Sequence, residues 1–143
     1  MTLSVNAASA DQTKTLPLKA DDDIVRLRQA LRDATVAIGF SLVDQTKFIT
    51  AASELGRNTV RYGGGGEVLL QHLSDGVRHG IKLTFIDNGP GIPDIKKAMT
   101  DGYTTGGGLG LGLSGAKRLC DEFEIDSTVG KGTTVSVAKW KLR

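Results

Sequence analysis

Glycine constrains this chain more than any other residue: there are 19 in 143 residues, and they are not scattered. They gather at 63–66, 89–91, 106–115 and 130–132, between stretches with a regular hydrophobic pattern. Scattered glycine would loosen the chain. Clustered glycine between periodic segments marks tight backbone turns, often with something packed against the main chain.

The length predicts one domain, and a chain this size buries roughly 70% of its unfolded surface. Aromatic residues make up only 5%, so the core must rest on Leu, Ile, Val and Ala. The 18 basic and 16 acidic residues are interspersed and leave a net charge of +2, which argues for neither a nucleic-acid nor a membrane partner. The single cysteine, Cys120, fits a reducing compartment and reads as a small packing residue in Leu119-Cys120-Asp121-Glu122-Phe123. Residues 1–15 have no apolar segment of the signal-peptide kind and read as a polar tail, with the domain expected over 16–143. No apolar run approaches the roughly 20 residues needed to span a bilayer. The expected location is cytoplasmic.

Leu16-Pro17-Leu18 is a short apolar piece before the acidic run Asp21-Asp22-Asp23, whose carboxylates suit a helix N-terminus. Ile24, Leu27, Leu31, Ala34 and Ile38 then recur at spacings of 3 and 4, predicting an amphipathic helix that ends at Gly39. Ser41 is the expected cap of a second helix running to about Tyr62, with Phe48, Ala52, Leu55 and Thr59 on its apolar face and Gly56 hinting at close packing. Gly63–Gly66 stop it. Strands are expected over 67–73 and 81–87, joined by a turn beginning Ser74-Asp75-Gly76. A short helix at 95–99, a helix over about 110–121, and strands over 123–129 and 133–140 complete the chain, with Phe123, Ile125 and Val129 sharing a face. The order predicts a two-layer α+β sandwich: a mixed, mostly antiparallel sheet with three helices on one face.

Four segments have the makings of a site. Glu54 and Asn58 lie four apart on a helix and project from the same face; a carboxylate and an amide oxygen there suit a hard cation and proton acceptance, or simply a solvated surface. Asp87-Asn88-Gly89-Pro90-Gly91 follows a strand directly. The Asp87 carboxylate can accept a hydrogen bond from an exocyclic amine, and Gly89 and Gly91 leave room for a flat ring, though the composition also suits an ordinary turn. Gly106–Gly112 opens a helix, and its exposed N–H groups suit an anion; it is neither a Walker loop nor a dinucleotide fingerprint. Gly130-Lys131-Gly132-Thr133 reads as a tight hairpin turn.

In this order and with these gaps, the four segments resemble the GHKL ATPases, the superfamily of gyrase, heat-shock protein 90, histidine-kinase catalytic domains and MutL. A narrower likeness covers residues 16–143. Glu-Leu-Gly-Arg-Asn (54–58), Asp-Asn-Gly-Pro-Gly-Ile-Pro-Asp-Ile (87–95), Met-Thr-Asp-Gly-Tyr-Thr-Thr (99–105) and Gly-Gly-Leu-Gly-Leu-Gly-Leu-Ser-Gly-Ala-Lys-Arg-Leu (107–119) are similar to the stressosome switch kinases of the anti-sigma-factor kinase family. The chain departs from the wider superfamily at Leu109, often Thr there, and in the four-glycine run at 63–66.

The resemblance implies a serine/threonine kinase using ATP and Mg²⁺. Asp87 would bind the adenine amine, assisted by Thr133 through water, while Gly89 and Gly91 shape the base pocket. Asn58 would hold Mg²⁺, and Glu54 would be the general base. Gly108, Leu109, Gly110, Leu111 and Gly112 would line the triphosphate, with 95–107 a short lid. The implied substrate is a STAS-domain antagonist protein in a partner-switching stress pathway, after which the kinase activates a PP2C-type phosphatase. The rival reading is an anti-sigma factor of the same fold that sequesters a sigma factor and phosphorylates its anti-antagonist.

Overall fold

The computed structural model describes residues 13–100 and 112–141. Their elements run β1 (Lys14–Leu18), α1 (Asp21–Ile38), α2 (Leu42–Arg61), β2 (Gly66–Ser74), β3 (His79–Asp87), α3 (Ile95–Ala98), α4 (Gly112–Arg118), β4 (Glu122–Thr128) and β5 (Gly132–Trp140). The five strands form one sheet in the order β1-β2-β3-β5-β4, and every pairing among them is antiparallel. The expected α+β sandwich is thus present.

β1 is the element the hydrophobic pattern leaves unassigned. It takes in Lys14 and Thr15, upstream of the expected domain start, and pairs along its length with β2 from Lys14↔Leu70 to Leu18↔Gly66. Pro17 within it lies on an edge strand, where a residue without an N–H does least harm.

The helix ends follow the predicted chemistry. Asp23 reaches back to accept the Lys19 and Ala20 N–H groups at 2.8 and 3.1 Å, which holds its carboxyl below the usual range. Gly39, at φ 98°, closes α1 by donating to Thr35 and Val36. Ser41 Oγ accepts from the Asp44 N–H and caps α2. α4 ends at Arg118, three residues before the expected limit, because tertiary contacts claim the chain. Lys139 Nζ takes the Leu119 carbonyl at 3.2 Å, and Asp121 Oδ2 accepts the Trp140 N–H at 2.7 Å. Val129 falls beyond β4 in the turn before β5 and is exposed, off the face it was expected to share.

The core lies between the sheet and the helices. Leu27 and Leu31 of α1, Phe48 and Leu55 of α2, and Val68, Leu83, Phe85 and Val137 of the sheet are all essentially fully buried. Each such side chain contributes about 1.5–3 kcal/mol by leaving water. Cys120 belongs to this packing; burial pushes its thiol up to about 12, so it is not a thiolate near neutral pH. Residues alternate faces along a strand, so the parity of Leu83, Phe85, Val135 and Val137 identifies the sheet face that the helices cover. Asp87 has that parity.

Candidate functional site

Strand register assembles the first half of the site. Asp87, the last residue of β3, is flanked by Gly66 of β2 and Thr133 of β5, and Thr133 is flanked in turn by Ser127 of β4. Gly66, Asp87, Thr133 and Ser127 therefore form one row across the end of the sheet, on its helix-covered face. Asp87 is half-buried, and its Oδ1 accepts the Gly89 N–H at 2.9 Å, so the glycine turn begins by wrapping its own carboxylate. A side chain at Gly63, just after α2, would collide with the Asp87 carboxyl. This makes Gly63 the floor beneath Asp87.

Gly91, at φ 80°, lies so close to the Thr128 carbonyl that a Cβ there would overlap it. The loop after β3 is also stitched to the β4–β5 hairpin by two hydrogen bonds, Gly130 N–H to the Pro90 carbonyl at 2.8 Å and Ile92 N–H to Ser127 Oγ at 2.8 Å. The Asp87–Gly91 segment and the Gly130–Thr133 turn, separate in the sequence, are one structure.

The second half hangs on α2. Glu54 is only 6% exposed, although it carries a carboxylate. Its Oε1 lies 3.2 Å from Arg57 Nη2, and its Oε2 accepts the Gly112 N–H at 3.3 Å, across 58 residues of sequence. A buried carboxylate is costly unless paired, and the Arg57 guanidinium offsets part of that cost. Asn58, one turn on and half-buried, accepts the Tyr62 and Gly63 N–H groups with its backbone carbonyl. That turn sets Gly63 against Asp87 and so ties the two halves together. Gly108, Leu109, Gly110 and Leu111, together with the part of the expected lid beyond residue 100, lie outside the described residues.

Three further residues belong to this site. Arg57 pairs with Glu54, Gly63 supports Asp87, and Ser127 ends the row. In the sequence Arg57 lies between the two polar residues that stand out, and Gly63 shows itself only as a helix stop. Ser127 carries no local signal, because a serine on a strand shows its use only once register is known.

The candidate site thus offers a half-buried carboxylate at a strand end and a buried carboxylate beside a glycine run, with a glycine turn between β3 and the hairpin whose Gly89 and Gly91 are required because the Gly63 backbone and the Thr128 carbonyl occupy the place of a Cβ. Comparison with known proteins gives the class of the chain. Residues 43–143 match the model of the histidine kinase-, DNA gyrase B-, and HSP90-like ATPase family, and the chain belongs to it.

Within that family the chain is 48% identical over 118 residues to serine/threonine-protein kinase RsbT of Bacillus subtilis, covering 82% of this chain and 89% of that one. It is also 41% identical over 63 residues to the anti-sigma F factor of a Thermoanaerobacter species, covering 42% of this chain and 44% of the other. A crystal structure of the RsbU and RsbW domains of Rv1364c from Mycobacterium tuberculosis has the same fold, with a TM-score of 0.62 at 21% identity. That alignment covers 92% of this chain but only 33% of the larger protein. The chain is an enzyme of the kinase branch of its family. No helix among the described residues is long and apolar enough to cross a membrane.

Proposed function

We propose that the protein is a cytoplasmic serine/threonine kinase that transfers the γ-phosphoryl group of ATP to a hydroxyl on a STAS-domain antagonist, and then activates a PP2C-type phosphatase. The observation that carries the nucleotide half of this reading is the row Asp87–Thr133, held by register beside the Gly89–Gly91 turn. Two acceptors side by side suit an adenine 6-amino group.

Glu54 is the proposed general base. It would take the proton from the partner's hydroxyl as that oxygen attacks the γ-phosphorus and ADP departs. Arg57 and Gly112 hold its carboxylate in one orientation, which suits a group that must face an incoming hydroxyl. Gly112, with Gly108, Leu109, Gly110 and Leu111, would line the triphosphate. Among the described residues, no cluster of three or more His, Cys, Asp or Glu offers a protein cage for a metal. The donor set suits Mg²⁺, which keeps several waters and needs few protein ligands besides substrate phosphates. Asn58 would supply the amide oxygen, and the ion, when bound, neutralises phosphate charge.

The acceptor is proposed to be a hydroxyl because the chain's two histidines, His72 and His79, sit on strands β2 and β3 with their rings stacked, not on an acceptor helix. The identity to a serine/threonine-protein kinase over most of both chains supports the same choice. The anti-sigma F factor likeness supports a second reading, in which a sigma factor is the captured partner.

Incubation with labelled ATP and a STAS-domain protein should place acid-stable phosphate on the partner and little on the kinase. Phosphorylation should also loosen the complex, since roughly −2 charge in a packed interface is disruptive. Acid-labile label on the kinase itself would overturn the hydroxyl assignment, and ADP-dependent capture of a sigma factor would favour the second reading.

A further inference from the structure

Ser127 stands at the end of the row beyond Thr133 and has no part in the function proposed so far. Its Oγ lies among three polar groups: the Ile92 N–H at 2.8 Å, the Gly132 carbonyl at 3.2 Å and the Thr133 hydroxyl at 2.7 Å. A hydroxyl has one proton to donate and two lone pairs to offer. One assignment satisfies all three contacts. Ser127 donates to the Gly132 carbonyl and accepts from both the Ile92 N–H and the Thr133 O–H. The Thr133 proton is then spent inward, and Thr133 Oγ1 can offer only lone pairs to anything beside Asp87.

We infer that Ser127 is a positioning residue that fixes Thr133 as a hydrogen-bond acceptor, and so adds to the preference for a purine bearing a 6-amino group over one bearing a 6-oxo group. The inference rests on the proposed placing of the base against Asp87 and Thr133. A 6-amino group donates, directly or through one water, and meets acceptors from both residues. A 6-oxo group brings its own lone pairs against theirs, and the donor on that edge moves to N1–H, away from the position the 6-amino group occupies. Without the Ser127 hydroxyl, the Thr133 O–H loses its inward acceptor and is free to turn and donate outward. Selectivity then depends on Asp87 alone. Ser127 also anchors the Ile92 N–H, so a merely structural role would weaken every nucleotide equally; the ratio between two nucleotides separates the two roles.

The test is calorimetric titration of the full chain with ATP and with inosine 5′-triphosphate, whose base carries an oxo group at position 6 and a proton on N1. Ser127→Ala should lower the ATP-to-inosine-triphosphate affinity ratio by roughly 3- to 10-fold, the worth of one hydrogen bond. Ser127→Thr keeps the hydroxyl on a strand that tolerates β-branching and should leave the ratio within about twofold. In a Thr133→Val background, where no hydroxyl remains to be oriented, Ser127→Ala should no longer move the ratio. Equal weakening of both nucleotides by Ser127→Ala, or the same fall in ratio with Val at 133, would overturn the inference. A wild-type protein that binds neither nucleotide, or does not distinguish them, would overturn the base assignment and this inference with it. That result is seen before any Ser127 substitution is made.

Discussion

The described residues at the two ends of the proposed nucleotide site are built from different materials. At the base end, Asp87, Thr133 and Ser127 are set side by side by the pairing of β3, β5 and β4, and the adjoining loop is held by hydrogen bonds in which main-chain groups take part. At the proposed phosphate end, Glu54 and Asn58 project from one helix, and the Gly112 N–H donates to the Glu54 side chain at 3.3 Å. Position at the base end comes from the backbone and is shared among strands. Among the described residues of the proposed phosphate end it comes from the side chains of α2. Substitutions at the two ends should therefore fail differently: the base end through affinity, the phosphate end through rate.

The largest expected effect tests the phosphate end. Glu54→Ala should slow phosphoryl transfer to the partner by about 10²- to 10⁴-fold while leaving ATP affinity nearly unchanged. Arg57 is 37% exposed at its side chain and can turn to water when its partner is lost, so a folding defect is not the expected cause. Glu54→Gln sharpens the point. It keeps the size and an acceptor for the Gly112 N–H but accepts a proton poorly, so it should be as slow as Ala. Full activity in the Gln variant would make Glu54 a link to the glycine run and not a base.

The next effect belongs to the base end. Asp87→Asn keeps the shape but can place an N–H donor where the adenine amine must donate. Losing a hydrogen bond to a charged group should weaken ATP binding by about 10- to 150-fold. Transfer at saturating ATP should fall much less. A variant with normal affinity but slow transfer would reverse the division of labour between the two ends.

The same division explains what the sequence displays. Asp87 and the Glu54–Asn58 pair stand out in the sequence as candidates because their signals are local: a carboxylate at a strand end before glycines, and polar residues four apart on a helix. β1 is not legible, because five residues containing a proline are too short for alternation to declare itself. Gly63 is visible as a helix stop but not as the floor beneath Asp87, since that contact spans 24 residues of sequence and exists only after the sheet closes. Ser127 depends wholly on register. The early end of α4 has the same origin, since Lys139 and Trp140, far along the chain, engage the residues at its end. For Gly63, Ser127 and the end of α4 the missing information is long-range contact.

The smallest effect asks whether α2 can be strengthened without touching the site it carries. Gly56 lies between Glu54 and Asn58 in sequence but faces the opposite way, toward α1 and β1. A Cβ built there would sit 3.6 Å from both Ile24 Cγ1 and Leu27 Cδ2 and 3.9 Å from Leu18 Cδ2, which is ordinary van der Waals contact. Alanine should therefore fit, and it removes the extra freedom that glycine gives the unfolded chain. Gly56→Ala should raise stability by about 0.5–1 kcal/mol, seen as a rise of a few degrees in Tm. Kinase activity and ATP affinity should stay at wild-type levels, because Glu54 and Asn58 keep their helix face. A stabilised protein with slowed transfer would mean that α2 must shift against α1 during the reaction, which the side-chain account of the phosphate end does not require. A destabilised one would mean that the helices pack more tightly at this point than the 3.6 Å contacts indicate.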